Sequence, residues 1–374
     1  MTRPLQTAAT TLKHFPELDG LRGIAILFVI SYHYLGYTRF FKWGWTGVDL
    51  FFVLSGFLIT GKLIQSIGEK DYFLNFYRNR VLRIFPVYYL AIILFYLSIQ
   101  FLSSPDSLVK LGYYLTHWKG FVFFVQNWTF ILYGRPQEKY LEHFWSLAAE
   151  EQIYLVWPFV VLWLYPRKKL LPVLVILIFT VPALRTIYYS LYPGNNEAAY
   201  YASRADAFSL GALILMLQKQ NGHLLKKLTD TLLYVSLVSV GAGIVLFSSF
   251  SPFSPFFVTV GYTLSAIFFA CLLQKCLQPG GLFSALCRSA VLRYCGKISF
   301  GLYIIHWPVH MILGTRISKW AFAHLSENYP FDSFLSLFIC LVISFSVSIV
   351  SYRYFESYFL GLKKKRQPSA VVAN

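Results

Sequence analysis

The sequence predicts an all-α, polytopic integral membrane protein with about ten transmembrane helices. Three observations support this fold class. The 374 residues are 57% hydrophobic and 13% charged, whereas about a quarter of the residues in a soluble protein are charged. Aromatic residues make up 19% of the chain, which suits a lipid-facing surface with aromatic belts at the interfaces. Long apolar runs recur along the whole length, and together these features exclude a soluble enzyme, a disordered protein and a coiled coil.

The transmembrane segments are predicted from their length. A helix needs about 20 mostly apolar residues to cross the roughly 30 Å hydrocarbon layer. The segments that meet this requirement are residues 21–38, 47–65, 84–104, 147–165, 169–189, 204–218, 231–249, 255–277, 298–315 and 334–358. The stretch 113–133 is also apolar, but polar residues interrupt it, so an interfacial or re-entrant segment is predicted there. Without a linker or an internal repeat, the chain 1–374 is expected to form one membrane domain with a short basic tail at 361–374.

The charge distribution predicts the orientation of these segments. The net charge is +17, from 33 Lys and Arg against 16 Asp and Glu. In a soluble chain this excess would suggest nucleic-acid binding, but membrane proteins concentrate Lys and Arg in cytoplasmic loops. With both termini in the cytoplasm, the inner loops and tails hold 21 of these residues and the outer loops hold 8. We therefore expect cytoplasmic termini, contacts with membrane lipids and no nucleic-acid partner.

Ionisable residues inside the spans indicate where function lies, because an unpaired charge there costs several kcal/mol. Arg22 begins the first span, and His33 lies eleven residues further, about 16 Å deeper along a helix. Asp49 begins the second span, at a depth expected to match that of His33. Glu150 and Glu151 open the fourth span from the same side. A carboxylate beside His33 would orient its imidazole as a general base.

Each of these residues also has a structural interpretation. His33 could be a hydrogen-bonded packing residue, and Asp49 could cap the N-terminus of its helix. Glu150 and Glu151 could lie among the lipid headgroups. Because neighbouring residues on a helix are not on the same face, at most one of these two glutamates is expected to face a site.

A basic cluster lies at the inner end of the third span. It consists of Arg78, Arg80 and Arg83 in FYRNRVLRIFPVYY. Arg80 and Arg83 are three residues apart and share one helix face, and guanidinium groups bind phosphate well. Arg22 could join the same patch. Contact with anionic lipids would explain the cluster equally well.

Several other chemistries lack their motifs. The sequence contains no phosphate-binding G-x-x-x-x-G-K-[ST], no dinucleotide-binding G-x-G-x-x-G and no G-x-S-x-G nucleophile elbow. HWPVH at 306–310 has the spacing of a zinc-binding histidine pair but lacks the adjacent Glu, and Pro308 lies between the histidines. The five cysteines include no CxxC pair. No metal site is therefore predicted.

Six segments together resemble the acyltransferase-3 family of integral membrane acyltransferases. They are LDGLRGIAILFVISYH at 18–33, GVDLFFVLSGFLIT at 47–60, the R-x-x-R of Arg80 and Arg83, HFWSLAAEEQIYLVWP at 143–158, SRADAFSLGAL at 203–213 and GKISFGLYIIHWP at 296–308. The resemblance covers nearly the whole chain in the family's order. It implies a multi-pass enzyme of the bacterial plasma (inner) membrane that O-acylates a carbohydrate or glycolipid acceptor. The chain resembles members without an extracytoplasmic esterase-like domain.

The same resemblance implies roles for individual residues. The donor would be acyl-CoA, by the family's habit acetyl-CoA, with its phosphates near the inner arginines. His33 corresponds to the essential histidine, and Glu150 and Glu151 to the acidic motif. His33 would act as general base on the acceptor hydroxyl or carry the acyl group transiently, and the sequence does not separate these mechanisms.

Two questions remain open at this level. An oxyanion stabiliser is needed, and the candidates are Trp145, Ser146 and Arg204. The outer segment 105–146 contains aromatic and polar residues that suit a sugar, although an interfacial belt would look similar.

A secondary transporter of an organic anion or lipid-linked sugar is the alternative function. Transporters commonly show inverted repeats, and none is found in this sequence. The oligomeric state is not predicted.

Overall fold

The computed structural model describes residues 15–36, 38, 40–102, 105–202, 204–324 and 329–363. Within these residues the chain is helical and contains no β-strand. The helices are α1 (Pro16–Leu35), α2 (Gly47–Ser66), α3 (Tyr72–Leu102), α4 (Pro105–Thr116), α5 (Trp118–Val122), α6 (Gln126–Tyr133), α7 (Trp145–Leu164), α8 (Leu170–Leu191), α9 (Asn196–Tyr201), α10 (Ala205–Leu246), α11 (Tyr262–Cys276), α12 (Leu282–Cys287), α13 (Ala290–Val309), α14 (Thr315–His324), α15 (Tyr329–Val350) and α16 (Ser357–Gly361). Most of the predicted basic tail lies outside the described residues.

Short 3₁₀ and π-helical turns join or extend several helices. The 3₁₀ turns Phe40–Thr46 and Glu142–Phe144 lead into α2 and α7. The π-helical turns are Phe257–Gly261, His310–Gly314 and Ser351–Glu356. The turn His310–Gly314 begins at the last residue of the HWPVH segment and connects α13 to α14, so these two helices form one long helical run.

Nine helical runs among the described residues are long and apolar enough to cross a membrane. They confirm the multi-pass, all-α fold class. The sequence predicted ten spans because it separated 204–218 from 231–249. Both segments belong to α10, which is broken at Asn221 by a non-helical backbone conformation (φ −152°, ψ 68°). The region 113–133 contains the end of α4 followed by α5 and α6, and none of these three helices is long enough to span a bilayer.

The helix α1 packs against α13 with very little space between their backbones. A Cβ atom placed on Gly296 of α13 would lie 1.8 Å from the carbonyl oxygen of Asp19, and one on Gly23 would lie 2.1 Å from that of Leu292. Small residues at such contacts let two membrane helices approach closely. This contact fixes the register of α1 against α13 and brings His33 beside the end of α13.

A second close contact joins α2 to α10. A Cβ atom on Gly56 would lie 1.8 Å from the Phe208 carbonyl oxygen, and one on Gly211 would lie 1.9 Å from that of Val53. Each glycine thus lies against the backbone of the other helix. This packing places the first turn of α2 beside the first turn of α10, where the charged residues of both helices meet.

Candidate active site

His33 lines a cavity of about 1090 Å³ near the end of α1. Aromatic side chains supply much of its wall: Phe41, Trp45, Trp145, Tyr200, Phe253 and Trp307. Arg135, Lys139 and Glu142 also line it. We call this side of the protein the His33 end. We call the opposite side, where α1 begins near Arg22, the basic end.

Four histidines lie at or near the end of α1, namely His33 itself, His143, His306 and His310. The Nδ1 atom of His33 lies 2.9 Å from Nε2 of His306 in α13, and Nδ1 of His306 lies 3.0 Å from the Leu302 carbonyl oxygen. The His143 ring centroid is 5.3 Å from that of His306 and 6.3 Å from that of His33. Sequence reasoning identified His33; it noted His306 as an ionisable residue of the ninth span and as half of a possible zinc pair, without placing it beside His33. It passed over His143, although this residue opens a segment that carries the family resemblance.

Asp49 does not lie beside His33, so the expectation of a His33–Asp49 pair is not met. Its Oδ1 atom instead accepts a hydrogen bond from Nε of Arg204 at 3.0 Å, and both side chains are at most 2% exposed. The reason is the depth at which α2 begins. Gly47 packs against Ala25 and Val29, one to two turns before His33, and Asp49 lies further inward still.

The Asp49–Arg204 pair belongs to a buried group of two acids and two arginines. Nη2 of Arg185 lies 2.7 Å from Oδ2 of Asp206, which also accepts a hydrogen bond from the Thr263 hydroxyl at 2.5 Å. The group connects α2, α8, α10 and α11 with balanced charge. Arg204 is 1% exposed and held against Asp49, which does not favour its suggested role as oxyanion stabiliser.

Of the other two oxyanion candidates, one lines the cavity and one contacts a residue that does. Trp145 lines the cavity. Ser146 Oγ lies 2.5 Å from the hydroxyl of Tyr303, which donates a hydrogen bond to the His143 carbonyl oxygen at 2.7 Å. Tyr303 also lines the cavity and was not identified from the sequence.

Glu150 faces the basic end and not His33. It lies five residues beyond Trp145, about 7.5 Å further along α7. Its Oε1 atom accepts hydrogen bonds from the hydroxyl groups of Ser55, at 2.5 Å, and Tyr154. Glu151 lies within electrostatic range of Arg80, and its buried Oε1 has no hydrogen-bond partner among the described residues. The expected gathering of the acidic motif around His33 is therefore not observed.

The predicted arginines converge at the basic end. Arg22, Arg80 and Arg83 lie within electrostatic range of one another; Arg22 and Arg83 are also within range of Glu150, and Arg80 is within range of Glu151. The guanidinium group of Arg80 lies 5.4 Å from the centre of the Tyr154 ring, and that of Arg22 lies 3.2 Å from Asp19.

Two further basic residues lie close to these arginines. Lys62 of α2 and Lys363 after α16 lie within electrostatic range of Arg80 and Arg83. We call Arg22, Lys62, Arg80, Arg83 and Lys363 the basic cluster. Burial, with a smaller contribution from Arg83 and Arg80, lowers the pKa of Lys363 to about 8. Arg78, which was predicted to join, is exposed and donates a hydrogen bond to the Leu362 carbonyl oxygen at 3.1 Å.

Comparison with known proteins identifies the family. A family model described as an acyltransferase domain matches residues 15–353. The chain belongs to the acyltransferase-3 family. Relatives of this chain include the peptidoglycan O-acetyltransferase OatA of Listeria monocytogenes, which is 28% identical over 96% of the chain and 59% of the relative. The O-acetyltransferase OatA of Staphylococcus aureus is 24% identical over 92% of the chain and 57% of the relative.

YrhL of Bacillus subtilis, named as a candidate peptidoglycan O-acetyltransferase, is 30% identical over 82% of the chain and 50% of the relative. The acyltransferase-3 chain thus spans half to three-fifths of the length of these relatives. No solved structure matches it. In this family member, α1 connects the two regions described above, since it carries Arg22 near its beginning and His33 near its end.

Proposed function

We propose that this acyltransferase-3 protein transfers an acetyl group from acetyl-CoA at the basic end to a carbohydrate hydroxyl at the His33 end. The observation that carries the proposal is the arrangement of two sites on one helix. Arg22 and His33 are eleven residues apart in α1, so the basic cluster and the cavity are separated by about 16 Å. One site suits an anionic donor, and the other holds a base in a cavity.

The donor is assigned to the basic end because positive charge accumulates there. The basic cluster brings five cations together, while Asp19, Glu150, Glu151 and Glu356 supply four carboxylates within range. An anion would relieve the repulsion among these cations, and guanidinium groups bind phosphate with paired hydrogen bonds. CoA carries several phosphate groups, and the excess of Lys and Arg in the loops at this end favours the cytoplasm, where CoA is found.

The acceptor is assigned to the His33 end because its cavity suits a sugar. The cavity volume of about 1090 Å³ is sufficient for more than one sugar ring. Aromatic faces such as those of Trp145 and Trp307 can stack on sugar rings, while Arg135 and Glu142 can bond with hydroxyl groups. The name of the Listeria monocytogenes relative, a peptidoglycan O-acetyltransferase, supports peptidoglycan as the acceptor and acetyl as the transferred group. The protein would then lie in a bacterial inner membrane.

The proposed reaction uses His33 as the base. Nε2 of His33 takes the proton from the acceptor hydroxyl while the oxygen attacks the thioester carbonyl carbon. The carbon–sulfur bond of acetyl-CoA breaks, and the CoA thiolate takes the proton back from His33. The products are an acetyl ester and CoA thiol. In the alternative route, His33 first takes the acetyl group and CoA is released as the thiol; the acceptor hydroxyl then attacks acetyl-His33, which gives the same ester and free His33.

The test uses the full chain in lipid nanodiscs with radiolabelled acetyl-CoA and peptidoglycan fragments. His33→Ala should lower turnover by about 10²- to 10⁴-fold and leave acetyl-CoA binding unchanged. Arg80→Gln with Arg83→Gln should raise the KM for acetyl-CoA by about tenfold or more per arginine. Arg78→Gln is the matched control, because this arginine lies on the same helix but outside the basic cluster.

Two outcomes would count against the proposal. Full turnover in His33→Ala would remove His33 from the reaction. An equal rise in KM in the Arg78→Gln control would show that the effect is one of general charge and not of the basic cluster.

A further inference from the structure

We propose that His306 is a positioning residue that holds His33 in the tautomer whose free Nε2 lone pair serves as the base. This inference rests on the proposed function, because it assigns a role to His306 only if His33 is the base. It follows from two hydrogen bonds and from the different exposure of the two rings to the cavity.

The first step fixes the protonation of His306. Its Nδ1 atom lies 3.0 Å from the carbonyl oxygen of Leu302, one turn earlier in α13. A carbonyl oxygen can only accept, so Nδ1 of His306 carries the proton. A neutral imidazole has one protonated nitrogen, and Nε2 of His306 therefore presents a lone pair.

The second step fixes the protonation of His33. Its Nδ1 atom lies 2.9 Å from Nε2 of His306, and since that nitrogen accepts, Nδ1 of His33 donates. The proton of His33 is therefore on Nδ1, and its lone pair lies on Nε2.

The third step separates the roles of the two histidines. His33 lines the cavity, whereas His306 is 0% exposed and does not. His306 thus acts on the reaction through His33. Its backbone is also held, because the Tyr34 hydroxyl donates a hydrogen bond to the His306 carbonyl oxygen at 2.7 Å.

The arrangement also supports the proton transfer itself. When Nε2 of His33 takes the hydroxyl proton, the ring becomes an imidazolium and its Nδ1–H becomes a charged donor. Hydrogen bonds from charged donors are about twice as strong as neutral ones. The bond to His306 therefore strengthens as the transition state forms, which is the condition for lowering the barrier.

Two amide substitutions separate this role from a packing role. The side chain of Gln in His306→Gln is long enough to place an acceptor oxygen near the position of Nε2. The shorter Asn in His306→Asn can still donate to the Leu302 carbonyl oxygen but leaves Nδ1 of His33 without its acceptor in α13. We expect His306→Gln to retain kcat within about fivefold and His306→Asn to lower it about 10- to 100-fold. The KM values for acetyl-CoA and acceptor should change in neither variant.

The controls distinguish this inference from the proposed function. If His33→Ala is inactive while His306→Asn retains wild-type kcat, only the role of His306 is overturned. If His33→Ala is active, the proposed function itself fails. If His306→Asn changed a KM value and left kcat unaltered, the positioning role would also be overturned.

A direct measurement applies even if His306→Asn fails to fold. In wild-type protein with ¹⁵N-labelled histidine, the ring resonances lost in His33→Ala identify His33. These resonances should show a protonated Nδ1 and an unprotonated Nε2. The opposite tautomer would overturn the inference.

Discussion

Replacing Gly296 with alanine should separate α13 from α1 and disturb both stability and catalysis. Gly296 lies at the close contact between these helices, where the backbone of α13 approaches the carbonyl group of Asp19. An alanine Cβ at this position would lie 1.8 Å from that oxygen. The opposing atoms belong to the backbone of α1, so no side-chain rotation can make room, and one helix must move.

The size of the movement follows from the contact distance. Restoring even a 3.0 Å separation requires a displacement of at least about 1.2 Å. If α13 moves as a rigid body, the 2.9 Å distance between Nδ1 of His33 and Nε2 of His306 increases to about 4 Å, beyond the range of a hydrogen bond. Overpacking of this kind lowers the free energy of unfolding by about 1–3 kcal/mol.

The assay combines thermal unfolding of the purified protein in nanodiscs with acetyl-transfer kinetics. Gly296→Ala should melt below the wild type and lose kcat to about the extent expected for His306→Asn. Gly241→Ala in α10 is the matched control, because a Cβ atom there meets nothing within 4 Å. Alanine is the better helix former, so this control should be neutral or more stable by up to about 1 kcal/mol. An unchanged melting temperature in Gly296→Ala, or an equal loss in Gly241→Ala, would refute the reasoning.

Two further predictions concern the charged groups. Asp49→Asn should lower the free energy of unfolding by about 3–5 kcal/mol, because it leaves the buried Arg204 without its carboxylate. Thermal unfolding of the variant tests this prediction, and a stability equal to that of the wild type would contradict it. Burial, together with Arg83 and Arg80, lowers the pKa of Lys363 from 10.5 in the unfolded chain to about 8 in the folded protein. The charge of Lys363 therefore destabilises the ligand-free protein below pH 8, and this destabilisation is lost as the pH rises from about 8 to 10.5. Lys363→Gln should therefore melt above the wild type at pH 7, with a difference that shrinks towards pH 10; a difference that grows with pH would count against this assignment.

Composition and length were sufficient to predict the membrane helices. The predicted span 47–65 agrees closely with α2, and 147–165 agrees with α7, because a helix that crosses a membrane is apolar along its length, whether it faces lipid or, as α2 mostly does, the protein interior. The start of α3 was misplaced: it begins at Tyr72, twelve residues before the predicted span 84–104. Hydropathy marks only the part of a helix that lies in lipid, whereas the helical hydrogen bonds of α3 continue through the polar residues around Arg80.

The candidate site was predictable along a helix but not between helices. The rise of an α-helix fixes the distance from Arg22 to His33, and their placement towards opposite ends of α1 follows from the sequence alone. The partners of His33 and Asp49 do not follow, because they depend on helix register. His33 and His306 are 273 residues apart in sequence, and their contact depends on backbone packing at glycines that no local pattern distinguishes from others.

The placement of the acids has a physical reason that sequence reasoning overlooked. A buried carboxylate beside a neutral histidine keeps most of its desolvation cost, whereas one beside an arginine recovers much of it through the ion pair. Asp49 and Asp206 accordingly pair with Arg204 and Arg185, and this group has no net charge. The histidines near the end of α1 contact one another and backbone carbonyl groups instead, an arrangement that neutral rings satisfy without a counter-ion. Charge without local compensation is concentrated in the basic cluster, and it is there, where the ligand-free protein carries more cations than acids, that binding of an anionic donor gains most.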